Sequence, residues 1–311
     1  MLSRVADTIY WLARYMERTQ SMLQVIRTNY IASQDEIRYF SWRPLLYAYG
    51  ELTSTEVNEI ERDTPRVLEH LVLDKLNNAS TYNNILQGRE NARAVQDHIT
   101  KEVWQCLNDY YHYVRDDEVA QQVKLGDPVS GIDFLMRNSL LFTGTVKNTM
   151  PRDESYAYIN IGKFLERAIQ TADIIRIKWS GVSYDIQQSI ETPELRYLLY
   201  SLFGYELFVK TYKGNFSPNN VLQMLLYNTY FPHSLLYSLN QMSRYFERLK
   251  EDSLPESYEQ VEFLIGKVKN EVKYSHFTAD DPEQLNNFLL QVRDELYGVA
   301  TAFSKYYFGN S

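Results

Sequence analysis

The chain has 311 residues, 44% of them hydrophobic and 23% charged, which is the composition of a globular protein with a substantial core. A formal net charge of −8 excludes the basic footprint that phosphate-backbone binding needs, so no nucleic-acid partner is expected. The longest strongly apolar stretch, residues 197–209, contains Glu206 and is too short to span a bilayer, so no membrane association is expected either.

From the start of the chain, Val5, Ile9, Leu12, Met16, Leu23 and Ile26 recur at spacings of three, four or seven, the period of an amphipathic helix. The first residues lack the charged start, apolar run and cleavage site of a signal peptide, which gives the expectation of a cytoplasmic protein. Helical periodicity continues nearly throughout and strand alternation is scarce. Caps followed by proline mark helix starts at Thr64-Pro65, Thr192-Pro193, Ser217-Pro218 and Asp281-Pro282, where the missing N–H costs little. Irregular connections are expected at 116–131, 179–192, 212–217, 252–257 and 276–281.

A helical signature occurs twice, as Arg14-Tyr15-Met16-Glu17-Arg18 and, 149 positions later, as Lys163-Phe164-Leu165-Glu166-Arg167. Matches continue in order. Arg43-x-Leu45-Leu46-Tyr47 recurs as Arg196-x-Leu198-Leu199-Tyr200, Val67-Leu68-x-x-Leu71 as Val221-Leu222-x-x-Leu225, and Phe134-Leu135 with Gly144 as Phe288-Leu289 with Gly298. Such self-similarity decides architecture before any local reading does. The expectation is an all-α helical bundle of two tandem, pseudo-twofold-related halves, residues 1–150 and 151–311, packed as one globular unit. Superposing 9–149 on 158–308 is expected to align most helices.

Each signature places a carboxylate among cations. Glu17 and Glu166 interrupt apolar helix stretches, so both are expected to be buried and salt-bridged to arginines. A second polar concentration, Arg89-Glu90-Asn91-Ala92-Arg93, puts Arg89, Ala92, Arg93 and Gln96 on one helix face. Two readings stand side by side: an ion-pair network that fixes helix register, and a cleft that holds a carboxylate or phosphate through arginine forks. In the second, Arg14, Glu17, Arg18, Arg89, Glu90, Arg93, Lys163, Glu166 and Arg167 are the candidate binding residues. Arg89 and Arg93 would be the exposed gripping pair, because the cations on these helices outnumber Glu17, Glu90 and Glu166.

These motifs resemble the alpha-E family of all-helical bacterial proteins named for a Glu-Arg motif. The resemblance spans nearly the whole chain. It rests on Met1-Leu2-Ser3-Arg4-Val5-Ala6 with Tyr10-Trp11, on Arg14-Tyr15-x-Glu17-Arg18, and on Arg89-Glu90-Asn91-Ala92-Arg93 with Trp104 and Leu107-Asn108. Phe142-Thr143-Gly144, Arg152-Asp153-Glu154 and Gly162-x-x-Leu165-Glu166-Arg167-Ala168 complete it. Two departures stand out, His233 where the family usually has arginine and Met150-Pro151 where a threonine usually precedes Arg152. The resemblance implies a setting in peptide or amide-bond metabolism, since family members are encoded beside, or fused to, an ATP-grasp-type ligase and a transglutaminase-like peptidase. It implies an accessory or partner role for this chain and leaves two others open, an enzyme acting on a peptide-like or amino-acid substrate and a self-assembling helical scaffold, a homo-oligomer.

No phosphate-binding glycine loop or dinucleotide fingerprint occurs, so no cofactor is expected. The five histidines are scattered, and none follows a glutamate at the spacing of bundle di-iron sites, so no metal is expected. Asp116-Asp117-Glu118 and Asp280-Asp281 read as turn or cap residues. Cys106, the single cysteine, reads as a packing residue. The tyrosine-rich runs Tyr110-Tyr111-His112-Tyr113 and Tyr306-Tyr307-Phe308 are candidate interaction patches.

Overall fold

The computed structural model describes residues 1–35, 40–179, 193–250, 256–276 and 282–309. Among them every regular element is a helix and none is a strand. The chain separates into two compact units, Trp11–Pro151 and Met1–Tyr10 with Arg152–Ser311. No described helix is long and apolar enough to cross a membrane.

The first of these units takes most of α1 (Ser3–Gln34) and continues through α2 (Arg43–Tyr49), α3 (Ser54–Ile60) and α4 (Thr64–Leu68). It then adds α5 (Thr81–Ala94), α6 (Lys101–Val114), α7 (Asp117–Lys124) and α8 (Pro128–Thr149). The apolar positions Ile9, Leu12, Leu23 and Ile26 of α1 are fully buried, and its polar Thr19, Gln20, Gln24 and Asn29 are buried too. A helix buried on all faces must pair its polar groups within the protein. Thr19 does so by donating to the Tyr15 carbonyl at 2.9 Å. Arg27 closes the other end of the unit through a fork on Asp133 of α8, at 2.5 and 3.2 Å.

The other unit comprises α9 (Glu154–Trp179), α10 (Pro193–Ser201), α11 (Tyr205–Tyr212), α12 (Pro218–Leu222), α13 (Leu235–Phe246), α14 (Glu256–Tyr274) and α15 (Pro282–Tyr306). Helix α9 is its centre, buried almost continuously from Ser155 to Ile175, with α13 and α15 packed against it. The Met1 ammonium is tied to Glu154 at 2.8 Å.

Both units repeat one local device. A single α-helical turn passes into a π-helical turn, Glu69–Leu73 after α4 and Gln223–Tyr227 after α12. Asp74 and Asn228 follow, and each side chain accepts the amide of the residue two positions on, at 2.8 Å in both cases. Those residues, Leu76 and Tyr230, are 89% and 88% exposed. Ser80 and Ser234 then cap α5 and α13. Sequence patterning did not locate the π-turns, because widening a helix by one residue leaves the apolar spacing almost intact.

Helix starts need two corrections. The cap of α4 is Asp63, whose carboxylate accepts the Arg66 amide, so Thr64 is the first helical residue rather than the cap. Ser217 caps α12 as expected, while Thr192, Asp280 and Asp281 lie outside the described residues. The expected irregular stretch 116–131 contains α7, because Asp116 caps it through the amides of Glu118 and Val119 and Val123 anchors it in the core. Residues 212–217 do form a connection, with Lys213 and Gly214 at φ of 51° and 74°. Most of the expected connections at 179–192, 252–257 and 276–281 lie outside the described residues.

The tyrosine runs are also divided. Tyr110 is fully buried and bonded to Ser139 at 2.9 Å, and Phe308 is buried against Tyr10 and Phe303. Neither is available to a partner. Tyr113 and Tyr306 remain exposed.

Lys178, in the last turn of α9, has its pKa drawn down to about 8 by burial. The direction fixes a pH dependence. Below pH 8 the folded chain must carry an ammonium that its surroundings disfavour. Between about 8 and the ordinary value of 10.5 the unfolded chain binds more protons than the folded one, so this group makes stability rise with pH. Lys178→Met is expected to be more stable than wild type near pH 7, with the advantage fading as pH passes through that window. Denaturant titrations at pH 7 and pH 10 check this, and an advantage independent of pH would contradict it.

Candidate functional site

In the Trp11–Pro151 unit the signature sits in the middle of α1. Arg14 and Glu17 are 2% and 3% exposed, and Arg18 is half-buried. The Arg14 guanidinium lies over the Trp11 ring at 4.4 Å and that of Arg18 over Tyr15 at 5.9 Å. Burial of Glu17 agrees with the sequence expectation. Helix α5 lies along this stretch, with Asn84 reaching the Met22 sulfur at 3.5 Å and Gly88 facing the Met16 sulfur.

The α5 cluster is built around Arg89. Its guanidinium donates to Glu90 at 2.5 Å and to Asn108 of α6 at 3.0 and 3.3 Å. It also lies over the rings of Trp104 and Tyr111, at 5.2 and 5.0 Å. Arg93 pairs with Glu90 at 2.5 Å and keeps 61% of its side chain exposed, against 21% for Arg89. The hydrogen bond from Arg89, followed by that from Arg93, holds the Glu90 carboxyl below its usual range. The expected exposed pair is therefore corrected. Arg93 is exposed, whereas Arg89 is held between two rings, an amide and a carboxylate. Ala92, placed on the same face by spacing, is fully buried, and Gln96 begins a separate 3-10 turn.

A different lining, with Glu51, Glu56, Glu59, Glu69, Asp74 and His70, surrounds a cleft of about 610 Å³ in this unit. His70 spans it, one ring nitrogen 2.9 Å from Asp74 and the other 2.9 Å from the Gly50 carbonyl. Sequence reading did not find this cleft, since its residues come from three short elements with no shared period.

In the other unit the signature occupies the middle of α9. Glu166 is fully buried and Arg167 is 7% exposed, while Lys163 is half-buried. Gln170, one turn on, donates to Glu166 at 3.0 Å, a partner that the sequence reading did not name. Arg167 donates to the Pro232 carbonyl at 3.2 Å, and Thr171 to the His233 carbonyl at 3.3 Å. The α9 face is thereby attached to the loop that leads into α13. The His233 imidazole meets the rings of Phe203 and Phe231, at 5.1 and 6.1 Å. Burial first, then the charges of Arg167 and Lys163, hold its pKa well below the ordinary histidine value.

Cys106 is buried, and burial pushes its thiol up to about 11. It therefore stays protonated and unreactive at neutral pH, which suits a packing residue.

Two buried Glu-Arg signatures, each in the central helix of an all-helical unit, are now in view, and the match to known families agrees with them over residues 1–308. The chain belongs to the Alpha-E family. That family is described as a predicted alpha-helical domain with a conserved ER motif. Relatives of this chain include uncharacterised proteins of Mycobacterium bovis and of two strains of Mycobacterium tuberculosis, each 22% identical over 305 residues. The match takes 91% of this chain but only 33% of theirs, so the chain spans about a third of the length of the curated relatives it matches. No solved structure matches it.

Proposed function

We propose that this Alpha-E chain is an accessory, partner-binding component of a system centred on an ATP-grasp-type ligase that forms peptide or amide bonds, with a transglutaminase-like peptidase as a further companion. The observation that carries this reading is the length of the mycobacterial relatives, in which the matched segment is joined to about twice its own length of other chain. A domain that occurs fused to others is one that works against them. The buried signatures fit this role. Glu17, Arg14 and Glu166, at 3%, 2% and 0% exposure, are placed to fix the central helices rather than to meet a substrate. Contact with a ligand or partner falls to the more accessible cations, Arg18 and Arg93 in one unit and Lys163 in the other, each within its own unit as an anion-recognising group. The matched stations of π-turn, capping serine and signature helix support a tandem duplication as the origin of the two units.

The test is co-expression with the ATP-grasp-type ligase of the same organism. Co-elution of the two chains, together with a changed rate of ATP hydrolysis by the ligase, is the expected result. An unchanged ligase that does not co-elute overturns the reading. Turnover of peptide-like substrates by the isolated chain also overturns it, in favour of an enzyme.

A further inference from the structure

Two exposed helix faces, one in each compact unit, hold apolar side chains that the helix packing does not use. On α8, Leu140 and Leu141 are 51% and 57% exposed. Phe134 lies two turns before Leu141 on the same helix face, with its ring in an edge contact with Tyr113 at 5.1 Å. On α14, Phe263 is 67% exposed. The repeated sequence does not require these residues. At the offset of 154, Asp294 and Glu295 match Leu140 and Leu141, and Asp109 matches Phe263. Each apolar face therefore occurs at only one of its two stations, and exposed apolar faces mark surfaces that meet another molecule.

The two faces differ in charge. Between Phe134 and Asn148 α8 has no carboxylate, and its charged residues there are Arg137 and Lys147, both exposed. The first turns of α14 place Glu256, Glu259 and Glu262 at the surface before Phe263. The lysines that follow are engaged close by. Lys267 binds Glu295 at 2.9 Å, Lys269 reaches Ser243 at 3.3 Å, and Lys273 lies over the Tyr274 ring at 4.9 Å. The spacing also agrees. Arg137, Leu141 and Gly144 follow one another at intervals of four and three, and so do Glu259, Phe263 and Gly266, which puts each trio on one face of its helix. In a parallel register the arginine meets the glutamate and the leucine meets the phenylalanine. The two glycines, with open space where a Cβ would stand, then let the backbones approach.

We propose that the α8 face of one copy of this chain docks on the α14 face of a second copy, through Arg137 with Glu259 and Leu141 with Phe263. Burial of the apolar side chains supplies the affinity, and the opposite charges set the register. The contact is heterologous, since each copy contributes a different face, so a pair still has one free face of each kind and can add further copies head to tail. One helix against another is a small interface, so the association is weak and grows with concentration.

Sedimentation velocity of the isolated full chain across a dilution series is the test. Wild type is expected to pass from monomer to pairs and longer assemblies as concentration rises. Leu141→Glu and Phe263→Glu, each at an exposed position, should stay monomeric with melting temperatures near that of wild type. Mixed in equal amounts, the two variants should form pairs and nothing larger. Each then supplies the intact face that the other lacks, while the introduced glutamates repel at the remaining ends. Arg137→Glu should weaken association, and adding Glu259→Arg in the same chain should restore it, which decides the question even where a glutamate at Leu141 or Phe263 disturbs its helix. A wild type that stays monomeric throughout overturns the proposal. So do association that folded Leu141→Glu leaves intact, folded variants that fail to pair when mixed, and a charge reversal that restores nothing.

Discussion

Glu166→Ala is expected to lower the stability of the chain by on the order of 3 kcal/mol, the usual cost of removing one member of a buried polar pair. The side chain is fully buried in the most enclosed helix of its unit and accepts a hydrogen bond from Gln170. Alanine leaves that amide without this acceptor and opens a space the size of the carboxylate arm. In a protein of this size each kcal/mol moves the melting temperature by roughly 2–4 °C, so the change is readily measured. Glu154→Ala is the matched control. Its carboxylate pairs with the Met1 ammonium but is 52% exposed, and exposed pairs contribute about 0–1 kcal/mol. Glu166→Gln keeps the volume while removing the charge and should fall between the two. A second readout is Asp173, whose pKa is raised by burial against the pull of Arg293 and Arg176, with the Glu166 charge adding to the rise. Removing Glu166 lowers it. Equal melting temperatures for Glu166→Ala and wild type would show that the carboxylate does not hold α9.

The all-helical class and the burial of the Glu-Arg signatures were legible in the sequence because both depend on local spacing. Apolar residues at Ile9, Leu12, Met16, Leu23 and Ile26 can be buried together only on a helix, and a carboxylate at Glu17 among them has to be buried too. Cysteine chemistry was legible for the same reason, since Cys106 sits at an apolar position of α6. The candidate site was less so. Arg89 and Arg93 share a helix face and look equivalent in sequence, yet Trp104, Asn108 and Tyr111 of α6 enclose the first and leave the second exposed. That difference arises from a neighbouring helix and has no trace in the spacing of α5. His233 was noticed only as a departure from the family's residue. Its place beside Lys163 and Arg167 depends on a π-turn, an Asn228 turn and the left-handed backbone of Phe203, none of which follows from residue type.

Gly162→Ala is expected to destabilise the chain even though alanine is the better helix former. A Cβ at this position would lie 2.4 Å from the Tyr10 carbonyl oxygen and 3.2 Å from its carbon, distances that backbone atoms cannot relieve without moving a helix. Tyr10 cannot retreat easily, because it is fully buried with its ring against Phe303 and Phe308 at 5.7 and 5.1 Å. Overpacking of this kind costs typically 1–3 kcal/mol, against a propensity gain of at most about 1 kcal/mol. Gly144, in α8, separates the two effects. Nothing lies within 4 Å of its missing Cβ, so Gly144→Ala gains the propensity alone and should raise stability by roughly 0.5–1 kcal/mol. Opposite signs for the two substitutions in denaturant unfolding are the expected result, and a stabilising Gly162→Ala would show that the first turns of α1 are free to move aside.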